Sequence, residues 1–83
     1  MRIEKDSRGA VTRIRLIGHF QSEHVEELKA LVQEEEPVLL DLKEVTLVDV
    51  EVVRFLVSCR ASGARIANCS RYIREWMARE SQS

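Results

Sequence analysis

The sequence predicts an α/β domain, a mixed sheet of about four strands with helices packed on it, in the order β-β-α-β-α-β-α. Three observations predict it. Val11 to Ile17 alternates between apolar and polar residues, the period of a half-buried strand. Val38-Leu39-Leu40 is a near-continuous apolar run ending at Asp41-Leu42, as in a strand buried on both faces. Helically spaced apolar residues flank that run: Val25, Leu28, Leu31 and Val32 before it, Val52, Val53 and Leu56 after it. Parallel connections in such a sheet are right-handed crossovers.

Each element has its own local signals. Arg2 to Lys5 is a short strand, and Asp6-Ser7-Arg8-Gly9 has turn chemistry, with a glycine able to take positive φ. Thr12, Ile14 and Leu16 share one face of the next strand, and Arg13 and Arg15 the other. Gly18-His19-Phe20-Gln21 leaves that strand. Ser22 is a good N-cap, with Glu23 favourable in the first turn. This first helix fades in Glu34-Glu35-Glu36, and Pro37 stops it. Lys43 to Val48 reads as a connector to a helix that starts at Asp49. That helix ends near Ser62-Gly63, where Gly63 suits the residue after the C-cap. Ala64 to Ala67 is another short strand. Asn68 or Ser70 caps a last helix with Tyr72, Ile73, Trp76 and Met77 on one side.

Length and charge bound the function. The chain of 83 residues is read as one domain over 1–80, with 81–83 as a disordered tail. A domain of this size buries only about 60% of its unfolded surface, so a covering partner would help it. Thirteen basic against fourteen acidic residues leave a net charge of −1, which argues against a nucleic-acid binder. No apolar run approaches the ~20 residues needed to span a bilayer, and no apolar leader opens the chain. Cys59 and Cys69 are then expected to be reduced thiols of a cytoplasmic protein. His19 and His24 lack ligand spacing, so no metal or cofactor is expected.

The ordered set of motifs resembles the STAS domain, the family of bacterial anti-sigma-factor antagonists that is also appended to anion transporters. Asp41-Leu42, Val45 and Leu47-Val48-Asp49 match its strand and its approach to the key helix. Leu16-Ile17-Gly18-His19-Phe20 and Gly63-Ala64-Arg65-Ile66 are similar to its glycine-bearing strand ends. The likeness runs from about Val11 to Met77. It implies a STAS-like fold and a non-catalytic protein-protein interaction role in bacterial regulation and signalling. The family pattern at the helix start is Asp-Ser-Ser-Gly, with a hydroxyl phosphorylated by a partner kinase. Here Val50, Glu51 and Val52 follow Asp49, so no hydroxyl remains at the switch.

Glu51 has two readings. It is a fixed stand-in for phosphoserine, with one charge against nearly two. Or it is an acidic residue in a helix's first turn, where such residues are favoured by ~0.3–1 kcal/mol. Thr46, ahead of the helix, is a weaker phosphosite candidate. Asp41 and Asp49 are not read as a magnesium pair, because a helix N-cap explains Asp49 better. Cys69 precedes a helix, a place where a thiol pKa can fall, but cap chemistry explains Asn68-Cys69-Ser70 better. With no placed base, triad or glycine-rich phosphate loop, no enzyme is expected.

The expected docking surface is Thr46, Leu47, Asp49, Val50, Glu51 and Arg54. Asp49 and Glu51 supply fixed negative charge there, and Val50 an exposed apolar contact. The resemblance implies a partner such as an anti-sigma factor, a serine-kinase-type regulator or another STAS-like chain. Two alternatives stay open: a small-ligand sensor, and a structural subunit that forms a homo-oligomer.

Overall fold

The computed structural model describes residues 1–81. β1 (Arg2–Arg8) and β2 (Val11–Phe20) form an antiparallel hairpin. Both strands outrun their sequence signals. Arg8 pairs with Val11, so the turn is at Gly9-Ala10 instead of 6–9, with Gly9 at φ 62°. Gly18 to Phe20 stays in β2, because Phe20 packs fully buried in the core.

A 3-10 turn, Ser22–His24, leads into α1 (Val25–Glu35). Its N-cap is Gln21, not Ser22 as expected. The Gln21 backbone N–H donates to His24 Nδ1 at 2.9 Å, and His24 N–H donates back to the Gln21 carbonyl at 2.9 Å. An imidazole thus does the work that a capping-box carboxylate usually does.

β3 (Val38–Val48) runs on through residues 43–48, the expected connector. Its first part pairs with β2 in parallel, Ile14 beside Leu40 and Arg15 beside Asp41. Two register shifts follow. Ile17 faces Glu44, and His19 faces Leu47. Each step inserts an extra residue on the β3 side, so the strand bends but keeps pairing. α2 (Val50–Ala61) starts from Asp49 as expected. It closes at Ser62, with Gly63 at φ 102° beyond it. β4 (Arg65–Ala67) pairs in parallel with β3, and α3 (Arg71–Ser81) completes the described chain. Ser70 Oγ accepts from Ile73 N–H at 3.2 Å, which makes Ser70 the cap of α3. Ser81, read as tail, ends α3 with its hydroxyl on the Ala78 carbonyl. The rest of that tail, 82–83, lies outside the described residues.

The sheet order is β1-β2-β3-β4, with β1 antiparallel and the rest parallel. Both parallel crossovers step the same way across the sheet. With one handedness they put α1 and α2 on the same face. One buried cluster bears this out. It joins Ile14, Leu16, Phe20, Val38, Leu40, Leu42 and Val48 of the sheet to Leu28 and Val32 of α1. Val52, Val53, Phe55, Leu56 and Cys59 of α2, with Ile73 and Met77 of α3, complete it. Within the α3 stripe, Ile73 and Met77 are core, Trp76 is half-buried, and Tyr72 is 56% exposed with its ring edge-on to Trp76. The opposite sheet face carries Glu4 beside Arg15 and Asp6 beside Arg13.

Candidate functional site

Asp41 is the buried charge of the sheet, at 1% exposure. It alternates with Leu40 and Leu42, so its side chain leaves the face opposite the core. There it accepts from the Arg13 guanidinium, from Lys43 N–H at 3.0 Å and from Asn68 Nδ2 at 3.1 Å. Burial pushes the Asp41 carboxyl up, but Arg13, Lys43 and Asn68 outweigh it and bring it down to about 2. Asn68 sits at φ 56° to make its contact. The carboxylate thus ties β2, β3 and the residue after β4 together. Both of its oxygens are engaged in doing so, which fits a structural role.

Asp49 does the same for the helix starts. Oδ1 accepts from Val52 N–H at 3.1 Å, the N-cap bond of α2. Oδ2 accepts from Ser22 N–H at 2.6 Å, at the start of the 3-10 turn. One side chain therefore closes two helical N-termini. Burial pushes its carboxyl up, and the N–H groups of Val52, Ser22 and Glu51 with the Ser22 hydroxyl hold it below the ordinary value.

The surface residues expected at this end separate into two kinds. Asp49 is half-buried and engaged inward, and Val50 is half-buried. Thr46, Leu47, Glu51 and Arg54 are exposed. Thr46 has no Cα partner in β2, because it is the extra residue of the second bulge. Leu47 beside it is 54% exposed, so the exposed apolar side chain expected at Val50 is found at Leu47 instead. Glu51 is not a bare charge. Arg54 Nη1 lies 3.2 Å from its carboxylate, and Arg54 Nε reaches Glu80 of α3 at 2.9 Å.

Two long-range bonds escaped the sequence reading. Glu80 lies 26 residues from Arg54 and Ser22 lies 27 from Asp49, so neither has a local signal. Burial pushes the Cys69 thiol up, against the opposing charges of Arg74 and Arg60, so the lowering that a helix start can give is not seen. Among the described residues, no three His, Cys, Asp or Glu side chains gather as a metal set. Nor is any described helix long and apolar enough to cross a membrane.

No curated protein matches the chain. A family model described as "Mlab, STAS domain" matches residues 3–69. That span holds all four strands, α1 and α2, with Asp41 and the Asp49 turn. The chain belongs to the STAS domain family.

Proposed function

We propose that this domain is a non-catalytic docking module of a bacterial regulatory system, and that it binds its partner through the end of β3 and the first turn of α2. STAS domains are generally regulatory and commonly engage proteins such as anti-sigma factors or kinases. The partner class is an anti-sigma or serine-kinase-type regulator.

The observation that carries this reading is the pairing of exposure with a strand-paired backbone at Leu47. A large apolar side chain is half in solvent, beside a bulge in the paired end of β3, two residues ahead of the Asp49 cap. Bulges re-aim side chains next to functional sites. A preordered surface loses little conformational entropy on binding. Glu51 and Arg54 form a charged rim that guides the encounter more than it sets the affinity. No serine or threonine lies between Asp49 and Val53, so the turn stays in one charge state.

The test is capture by the tagged domain from lysate of its own source, beside Leu47→Asp and Glu51→Ser. The parent is expected to recover an ATPase-type kinase or an anti-sigma protein, and Leu47→Asp to lose it. Recovery of that protein by Leu47→Asp at the parent level would place the contact elsewhere.

A further inference from the structure

The far end of α2 carries a second feature. A groove there is lined by Arg60 of α2, Ala64, Arg65 and Ile66 at β4, Asn68 and Cys69 after it, and Arg74 and Met77 of α3. It holds three arginines and no acidic side chain. All three are exposed. Arg74 Nη2 donates to the Cys69 carbonyl at 3.3 Å. Neither Arg60 nor Arg65 has an ion pair among the described residues. In a chain of net charge −1, this is a local excess of one sign.

The lining also shows how the groove runs. Arg65 and Ile66 are consecutive in a strand, so their side chains leave opposite faces of the sheet. Both line the groove, which therefore follows the rim of the sheet and not one face. That rim is the outer side of β4, which ends the order β1-β2-β3-β4 and pairs with β3 alone. An outer strand offers unpaired backbone groups to an extended chain. The other rim, at β1, mixes Arg2, Glu4, Lys5 and Asp6, the charge pattern that discourages strand addition.

We infer that the β4 rim is a second interaction surface, which takes an acidic, extended segment of a partner protein by strand addition. Backbone hydrogen bonds to β4 supply the register. On the helix side of the rim Ile66 meets the apolar side chains of the segment, on the other side Arg65 meets its carboxylates, and the exposed Arg60 and Arg74 add positive charge along the groove. Main-chain pairing with alternating side-chain contacts is a known route of peptide recognition. This surface is separate from the Leu47 end of β3 and does not rest on it.

The probe is a fluorescein-labelled peptide, EVEVEVE, titrated by fluorescence anisotropy at low ionic strength. Two control peptides go with it. KVKVKVK reverses the charge, and EPEPEPE keeps it while losing strand propensity and half the N–H donors. Binding is expected for EVEVEVE alone. It should weaken at least tenfold in Arg60→Gln/Arg65→Gln/Arg74→Gln and stay at the parent level in Arg71→Gln/Arg79→Gln. Far-UV circular dichroism and Tm check that the exposed substitutions leave the fold intact. Absence of EVEVEVE binding, or equal binding by the triple variant, would overturn the proposal. Equal binding of EPEPEPE would reduce it to bare charge attraction and overturn the strand-addition part.

Discussion

Asp49 accepts a hydrogen bond from the backbone of Ser22 while it caps α2 through Val52. The start of the 3-10 turn that leads into α1 and the start of α2 are thereby closed by a single carboxylate. Removing it leaves two N–H donors without their acceptor. An N-cap replaced by alanine costs ~0.5–2 kcal/mol, and Asp49→Ala should reach the upper part of that range. Asp49→Asn keeps an acceptor oxygen and should cost less. Chemical denaturation measures both, and hydrogen exchange should show Ser22 and Val52 amides losing protection together.

Asp41 contributes to the acid sensitivity of the fold. Its folded pKa of about 2 lies below the ordinary 3.8, so its stabilisation is present above pH 3.8 and is lost as pH falls toward 2. A shift of that size corresponds to roughly 2 kcal/mol. Denaturation midpoints followed between these limits should fall for the parent and fall less for Asp41→Asn. The slope should not vanish in the variant, because the Asp49 carboxyl is also depressed. An unchanged slope in Asp41→Asn would remove Asp41 from this account.

Asn68 separates backbone strain from side-chain bonding. Its φ of 56° suits glycine, and its amide reaches Asp41. Asn68→Gly loses only the amide bond, worth ~0.5–1.5 kcal/mol, or somewhat more because the acceptor is charged. Asn68→Ala also pays ~1–2 kcal/mol for a left-handed backbone. Alanine should therefore be the more damaging of the two by thermal unfolding.

Leu47 offers a change that should spare the fold. Exposed positions away from buried networks usually shift stability by less than about 0.5 kcal/mol. Leu47→Asp is expected to keep the parent Tm while losing the partner. In contrast, Met77→Ala should cost ~2–5 kcal/mol, because Met77 is 1% exposed in the core.

The family's switch can be restored in principle. Glu51→Ser places a hydroxyl in the first turn of α2, where a phosphate is favoured by the helix dipole. A cognate kinase should phosphorylate this variant and leave the parent unlabelled, read by mass spectrometry. Label on Thr46 of the parent would move the switch to the bulge.

The element order was legible because it rests on local patterns: alternation at Ile14 and Leu16, the apolar run at Val38-Leu39-Leu40, and Asp49 and Gly63 at the two ends of α2. The extent of the strands was not. Lys43 and Glu44 interrupt the apolar pattern of β3, and what continues the strand is pairing with Ile17 to Phe20 on a different element. β1 reaches Arg8 for the same reason, because the partner strand supplies its register. At the candidate site, Asp49 was legible as a cap from its own helix. The Asp49–Ser22, Arg54–Glu80 and Asp41–Asn68 bonds join residues 26 or 27 apart, and no spacing rule reaches that far.

The sheet face opposite the helices is a mosaic in which Glu4 stands against Arg15 and Asp6 against Arg13. Neighbouring opposite charges cancel with distance faster than any one of them would. Beyond a Debye length of about 8–10 Å, that face presents almost no field. The groove along the β4 rim is lined by three arginines and no acidic side chain, so like charges add there and their potential reaches farther into solvent. An acidic chain diffusing nearby is turned toward the rim of the sheet before it can sense the broad face at all.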